Sequence, residues 1–118
     1  MRAKDALGRY GEELAASYLT RAGLAIVARN WRCPEGEIDI LAREGNVLVV
    51  CEVKTRSSGA YGLPQEAVTA TKAARLRRLA TWWLAQRRID AAEIRFDVIG
   101  IQRGMDGAIR LDHLRGVV

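Results

Sequence analysis

The sequence has few residues of the kinds that bind soft metals or cross-link a chain. It contains one histidine and two cysteines, and Cys33 and Cys51 lie in no CxxC pair. This ligand count excludes a zinc knuckle. Since 118 residues are enough to bury a hydrophobic core without disulfides or a structural metal, we expect a single domain over residues 1–118.

Long hydrophobic runs are also missing. None approaches the roughly 18 residues that span a bilayer, and the initial stretch MRAKDALGRYGEEL carries too many charges for a signal peptide. We therefore expect a cytoplasmic protein with no membrane partner. Lysine and arginine number 19 against 14 aspartates and glutamates, and this basic excess favours polyanions such as nucleic acid as partners.

The spacing of apolar residues predicts helix, three strands, helix and two strands, in that order. An amphipathic helix is predicted over residues 5–22, and a second over about residues 65–86, with Trp83 facing inward and Trp82 outward. The predicted strands are 24–27 (with 31 as the alternative end), 37–42, 47–54, 94–101 and 108–114, with a loop over 55–63. Residues 37–54 are predicted to form a β-hairpin. The order predicts a mixed α/β fold.

The stretch CEVKTR, residues 51–56, ends the most hydrophobic segment of the chain. Because side chains alternate along a strand, Glu52 and Lys54 share one face. The register of the predicted hairpin places Asp39 opposite Glu52 or one step away. Two carboxylates so close repel each other unless a cation lies nearby.

A hard divalent cation suits this pair of carboxylates. Mg²⁺ takes oxygen ligands and keeps several waters, so Asp39, Glu52 and the backbone carbonyl of Val53 form a partial shell for Mg²⁺ or Mn²⁺. Such an ion lowers the pKa of a bound water and stabilises charge on a phosphoryl oxygen. Lys54 is placed to orient or activate the attacking water. These are the parts of a phosphodiester hydrolase.

Four short motifs resemble those of the YraN-type family of small uncharacterised bacterial proteins. They are GEELA at 11–15, GEID at 36–39, EVKTR at 52–56, and AV at 67–68 followed by Lys72. GEID and EVK together also resemble the signature of the PD-(D/E)XK, or restriction-endonuclease-like, nuclease superfamily, although Ile38 stands where the superfamily name has proline. The resemblance implies a restriction-endonuclease-like mixed sheet with an αβββαβ core. It also implies metal ligation by Asp39 and Glu52, with Lys54 as the catalytic lysine.

A first-helix glutamate is a further site residue implied by the resemblance. In archaeal Holliday-junction resolvases of this superfamily, that glutamate lies seven residues before a leucine, which precedes the helix-ending glycine by four. Glu12 occupies this place relative to Leu19 and Gly23, and Glu13 is the alternative. Gln65 is a weaker candidate.

The function implied is metal-dependent cleavage of DNA, and by analogy with the resolvases the DNA is branched or flapped. Such a resolvase would act as a symmetric homodimer. Arg56, Lys72 and Arg75 are the candidate phosphate contacts. RNA cleavage would use the same chemistry, and a non-catalytic nucleic-acid-binding or scaffold module is the alternative from another class. For Asp97 there are two interpretations, a residue that supports a site residue from behind or a strand-end ion pair, and the ion pair is preferred. His113 lies in no motif, and we expect it to be an ordinary surface or half-buried residue.

Overall fold

Helices and strands follow one another in the predicted order. The computed structural model describes residues 3–57, 69–91 and 93–117. Its elements are α1 (Ala3–Arg21), β1 (Ala25–Cys33), β2 (Gly36–Glu44), β3 (Val47–Ser57), α2 (Ala70–Arg87), β4 (Glu93–Arg103) and β5 (Ile109–Leu114). The prediction of a mixed α/β fold is therefore confirmed. In the described residues, neither helix has the length and hydrophobicity that a bilayer crossing requires.

The strands form one mixed sheet in the order β1-β2-β3-β4-β5. The first three are antiparallel neighbours, and β4 and β5 are also antiparallel. β3 and β4 are parallel, because α2 lies between them in sequence and allows the chain to enter β4 in the same direction. The predicted hairpin is confirmed, with Glu44 opposite Val47 and a connection through Gly45 and Asn46. Gly45 has φ of 63°, a conformation that glycine adopts at little energetic cost.

The two helices cover opposite faces of the sheet, and each face has its own hydrophobic cluster. The cluster under α1 includes Ala15, Leu19, Ile40, Val49, Cys51, Ile99 and Ile101. The cluster under α2 includes Ile38, Leu41, Leu48, Val50, Leu76, Leu79, Trp83 and Phe96. Trp83 is buried and Trp82 is 44% exposed, as predicted.

Gly11 allows α1 to approach β3 closely. A Cβ atom at this position would overlap the side chain of Thr55. Ala15, one helical turn later, is fully buried. The small residues of the GEELA motif therefore set the distance between α1 and β3, and Glu12 is held beside the sheet as a consequence.

Two of the predicted boundaries are wrong. β3 continues to Ser57, so residues 55–57 are strand rather than loop, because the parallel pairing with β4 extends to Ser57 opposite Arg103. α2 begins at Ala70 rather than near residue 65, because Thr69 has an extended backbone and its hydroxyl accepts the N–H of Lys72 as an N-cap. Gln65 lies outside the described residues.

Asp97 and His113 form a polar network on the α1 face. The expected half-buried position of His113 is confirmed for the residue as a whole, although its side chain is almost fully covered. The side chains of Asp97 and His113 are 0% and 4% exposed, and His113 Nε2 lies 2.7 Å from Asp97 Oδ2. Arg95 donates two hydrogen bonds of 2.9 Å to the same carboxylate. The other ring nitrogen, Nδ1, lies 2.9 Å from the Tyr18 hydroxyl. The network therefore joins α1 to β4 and β5.

The charge of Asp97 is stabilised by these contacts. Burial alone would raise the pKa of Asp97, but hydrogen bonds from Arg95, His113 and the Gly116 N–H together lower it below its usual value. Removing one partner from such a network is costly, because it leaves a buried charge without its counterpart.

We predict that Gly11→Ala lowers the free energy of unfolding by about 1–3 kcal/mol, because the added methyl group overlaps Thr55. Gly8→Ala is the matched control. A methyl group at position 8 would have no atom within 4 Å, so the gain in helix propensity should stabilise the protein by up to about 1 kcal/mol. Urea denaturation of both variants tests this; equal stability would contradict the close approach.

We also predict that Asp97→Asn lowers the free energy of unfolding by about 1–3 kcal/mol at pH 7, because Arg95 loses one of its two carboxylate partners and keeps only Glu44. Since the pKa of Asp97 is lowered in the folded state, its contribution is present above the unfolded pKa of about 3.9 and is lost as pH falls through the folded value. The difference in the free energy of unfolding between wild type and variant should therefore become smaller at acid pH. Asp112→Asn, at an exposed ion pair, should change stability little.

Candidate active site

β2 and β3 separate at the residues that carry the GEID and EVK motifs. Their pairing ends at Ile40 opposite Cys51. Beyond this point β2 pairs with β1 as far as Gly36, and β3 pairs with β4 as far as Ser57. We call this opening between β2 and β3 the fork. Asp39 and Glu52 are the first residues past the last pair, so the register prediction for them is confirmed.

The alternation of side chains along β2 changes at Asp39. Ile38 packs in the cluster under α2, whereas Ile40 packs in the cluster under α1. Residues two apart in a regular strand share a face, so β2 is irregular here. On β1, Asn30 lies between the residues paired with Ile38 and Ile40 and has φ of 51°. Irregularities of this kind redirect a side chain out of the regular ladder.

The carboxylate of Asp39 bridges the fork. Its Oδ2 accepts a hydrogen bond of 2.9 Å from the backbone N–H of Val53. Since β2 and β3 no longer pair at this level, that N–H has no ladder partner on β2, and the carboxylate satisfies it. Asp39 is thereby fixed beside the segment Glu52–Lys54.

Asp39 is held in a strongly negative and partly dry environment. Burial raises the pKa of Asp39 to about 6, together with the negative charges of Glu52 and Glu12, while the hydrogen bond from Val53 opposes the shift. Carboxylates of α1 and β3 thus act on Asp39, and Glu37 on its own strand contributes in the same direction. Clusters of this kind are typical of functional sites.

Two ammonium groups neutralise Glu52, which is only 9% exposed. Lys72 Nζ lies 2.7 Å from Glu52 Oε1, and Lys54 Nζ lies 3.5 Å from the same oxygen. Lys72 is one of the predicted phosphate contacts, but its ammonium is bound to this carboxylate. The N-cap Thr69 fixes the backbone of Lys72 at the start of α2. The sequence analysis did not predict the ion pair between Lys72 and Glu52. The feature that could have indicated it is a lysine in the first turn of the helix that follows EVKTR.

The structure favours Glu12 over Glu13 as the candidate site residue of the first helix. Glu13 has a 70% exposed side chain and forms an ion pair of 2.8 Å with Arg29, facing away from the fork. Glu12 is half-buried, and its charge acts on Asp39. Glu37, which precedes Asp39 on β2, is exposed and pairs with Arg32.

The two predicted phosphate-binding arginines follow site residues closely in sequence. Arg56 is two residues beyond Lys54 on β3 and is half-buried. Arg75 is exposed on α2, about one turn beyond Lys72.

The donor atoms at the fork fit a hard divalent ion only in part. Among the residues that the structure describes, no three His, Cys, Asp or Glu side chains are close enough together to hold a metal. Asp39 and Glu52 supply two carboxylates, and Mg²⁺ commonly binds to one or two carboxylates and completes its shell with water. Lys72 occupies one oxygen of Glu52, so an ion and this ammonium would compete for that carboxylate.

Comparisons with known proteins identify the family of the chain. A family model described as "Uncharacterised protein family UPF0102" matches residues 11–101, a range that contains all the candidate site residues. A UPF0102 protein of Beutenbergia cavernae is 58% identical over 99% of both chains. A UPF0102 protein of a Nocardioides species is 55% identical over 97% of this chain and 92% of its own. The expectation of an uncharacterised bacterial family is confirmed: the chain belongs to the UPF0102 family.

Proposed function

We propose that the protein is a metal-dependent endonuclease that hydrolyses phosphodiester bonds in DNA. The observation that carries the proposal is the fork, where Asp39 binds the Val53 N–H directly beside Glu52 and its two lysines. An acidic residue on one strand and Glu-x-Lys on the next match the pattern of the PD-(D/E)XK nucleases. On this basis we infer that the sheet and its two helices are a restriction-endonuclease-like arrangement.

Asp39 and Glu52 would hold Mg²⁺ or Mn²⁺, with the Val53 carbonyl as a further ligand. When bound, such an ion supplies a water of lowered pKa and stabilises negative charge on the phosphoryl oxygens. Lys54 has a 37% exposed side chain, so its ammonium is accessible to a substrate. It can orient the attacking water and stabilise charge in the transition state. Glu12 adds a third carboxylate that acts on Asp39.

The remaining basic residues bind the substrate or position the site. Arg56 and Arg75 contact phosphates on either side of the scissile bond. Lys72 orients Glu52 through its 2.7 Å ion pair. For a four-way junction, cleavage of opposing strands requires two sites, which a symmetric dimer would provide.

We predict that Asp39→Asn and Lys54→Ala each lower cleavage by at least about 100-fold while DNA binding is retained, because both residues act on the reacting phosphate. Labelled linear, flapped and four-way DNA, with an RNA of the same sequence, are incubated with Mg²⁺, Mn²⁺ or EDTA. Cleavage should require the metal and should be faster on branched or flapped DNA than on linear DNA.

Matched controls use two exposed carboxylates that pair with arginines. Glu37→Gln makes the same chemical change as Asp39→Asn on the same strand, and Glu13→Gln is the control for Glu12→Gln. Both control residues are exposed and paired with arginines, so their variants should cleave like the wild type. If neither DNA nor RNA is cut with either metal, the protein is instead a non-catalytic nucleic-acid-binding module.

We also predict that Asp39→Asn stabilises the fold at neutral pH. The pKa of Asp39 is raised to about 6 from 3.8, so the folded state binds a proton that the unfolded state has lost, and stability falls as pH rises between these values. The free energy of unfolding of the variant should exceed that of the wild type by about 1–3 kcal/mol at pH 7.5. Below about pH 4 the two values should be almost equal. Urea denaturation across this range measures the difference. A variant less stable than wild type at pH 7.5 would contradict the predicted repulsion.

A further inference from the structure

α2 carries an exposed aromatic side chain beside a cleft that, among its described lining residues, shares only Arg75 with the candidate active site. Trp82 is 44% exposed and contacts Trp31 of β1, with ring centroids 5.5 Å apart and planes inclined by 48°. The adjacent cleft has a volume of about 420 Å³. It is lined by Pro34, Glu35, Arg75, Arg78, Leu79 and Trp82.

The shape of the cleft follows from the packing of α2 on the β1–β2 turn. A Cβ at Gly36 would lie 3.4 Å from the Leu79 side chain, so the turn lies directly against the middle of the helix. Trp83 fills the core on the inner side of α2. Trp82 is not one of the buried residues of this cluster, and part of its indole ring is exposed to solvent.

The cleft lies on the same helix as the candidate active site. α2 crosses the sheet obliquely, since Ala73 packs on Val98 of β4 and Trp82 contacts Trp31 of β1. Lys72 and Trp82 are ten residues apart, which corresponds to about 15 Å along the helix axis. This distance equals about four steps of a stacked nucleic-acid strand at about 3.4 Å per nucleotide.

The charge at the rim of the cleft is positive. α2 contains no acidic residue, and among the described residues that line the cleft Glu35 is the one acid. Arg77 and Arg87 lie over the rings of Phe96 and Trp83, at 5.1 and 4.5 Å. Arg75 and Arg78 are exposed, and within the described residues neither forms an ion pair. Two guanidinium groups and one indole thus face the same space.

An occupant of this cleft must have both negative charge and flat apolar surfaces. Unpaired nucleotides meet this requirement, because their bases stack on aromatic side chains while their phosphates bind arginine. A duplex does not, because its bases are stacked on one another. A second copy of the chain is disfavoured, because a twofold contact through this face would bring the arginines of the two copies together.

We propose that this cleft binds single-stranded DNA, with a base stacked on Trp82 and its phosphates at Arg75 and Arg78. The inference deepens the proposed function and rests on it, because it names the substrate class: DNA with an unpaired segment that leads toward the fork. Flapped and branched DNA contain such segments, whereas intact linear duplex does not.

The test is equilibrium binding in EDTA, where metal-dependent cleavage cannot occur. Fluorescence anisotropy is measured with a labelled oligo-dT of about 12 nucleotides and with a hairpin duplex of similar length. Trp82→Ala should weaken oligo-dT binding by about 10-fold to 100-fold and duplex binding by less than about twofold. Trp82→Phe, which keeps an aromatic face, should restore most of the affinity for oligo-dT.

Matched controls lie elsewhere on the surface. Tyr10 is also 44% exposed, so Tyr10→Ala removes an equally exposed aromatic ring and should leave oligo-dT binding unchanged. Arg78→Ala should weaken binding and reduce the slope of log K against log salt by about 0.7. Arg21→Ala makes the same charge change at the end of α1 and should have a smaller effect.

Several outcomes would overturn the proposal. Unchanged oligo-dT binding by Trp82→Ala would do so, as would an equal loss for single strand and duplex. A preference of more than about tenfold for oligo-rU would assign the cleft to RNA. If sedimentation shows a wild-type dimer that Trp82→Ala dissociates without loss of oligo-dT binding, the cleft is an interface between copies.

The binding result is independent of cleavage. If oligo-dT binding depends on Trp82 but no substrate is cut, the cleft is a single-strand binding site and the nuclease proposal is wrong. Metal-dependent cutting without any dependence of binding on Trp82 would support the nuclease and remove the cleft.

Discussion

The hydrogen bond from the Val53 N–H to the Asp39 carboxylate is the interaction on which the candidate site depends. Two strands that stop pairing leave backbone donors without partners, and a buried unsatisfied donor is costly. At the fork this donor is satisfied by a side chain, so β2 and β3 can diverge without that penalty. The same contact brings one carboxylate beside Glu52. One hydrogen bond therefore accounts both for the separation of β2 and β3 and for the proximity of the Asp39 and Glu52 carboxylates.

The charges around the fork are only partly balanced, and the imbalance is confined to one residue. Glu52 has two ammonium partners, Lys54 and Lys72, whereas Asp39 has a backbone N–H and is acted on by three carboxylates, Glu52, Glu12 and Glu37. A fold selected for stability alone would place a cation beside Asp39 or replace it with an amide. Unbalanced carboxylates are commonly retained where a ligand or a reaction needs them. The Asp97 network provides the contrast, since every charge in it is paired.

Local pattern is sufficient to predict the order of elements and the hairpin register, because alternation and turn chemistry act over a few residues. The opposite placement of Trp82 and Trp83 also follows from helical periodicity. The end of β3 and the start of α2 cannot be found in this way, because one depends on pairing with β4 and the other on the N-cap at Thr69. The contacts of Lys72 with Glu52 and of His113 with Asp97 join residues distant in sequence, which no local pattern specifies.

Net charge alone says little about where a polyanion would bind, and the ion pairs of the described residues show why. Much of the basic excess is occupied within the fold: Lys72 is bound to Glu52, and Arg95 and Arg115 are bound to Glu44. Other arginines lie over aromatic rings. On α2, the exposed positive charge that remains is concentrated at Arg75 and Arg78, beside Trp82. The same helix, α2, brings Lys72 to Glu52. One rigid element therefore carries both a residue of the candidate site and the candidate binding surface.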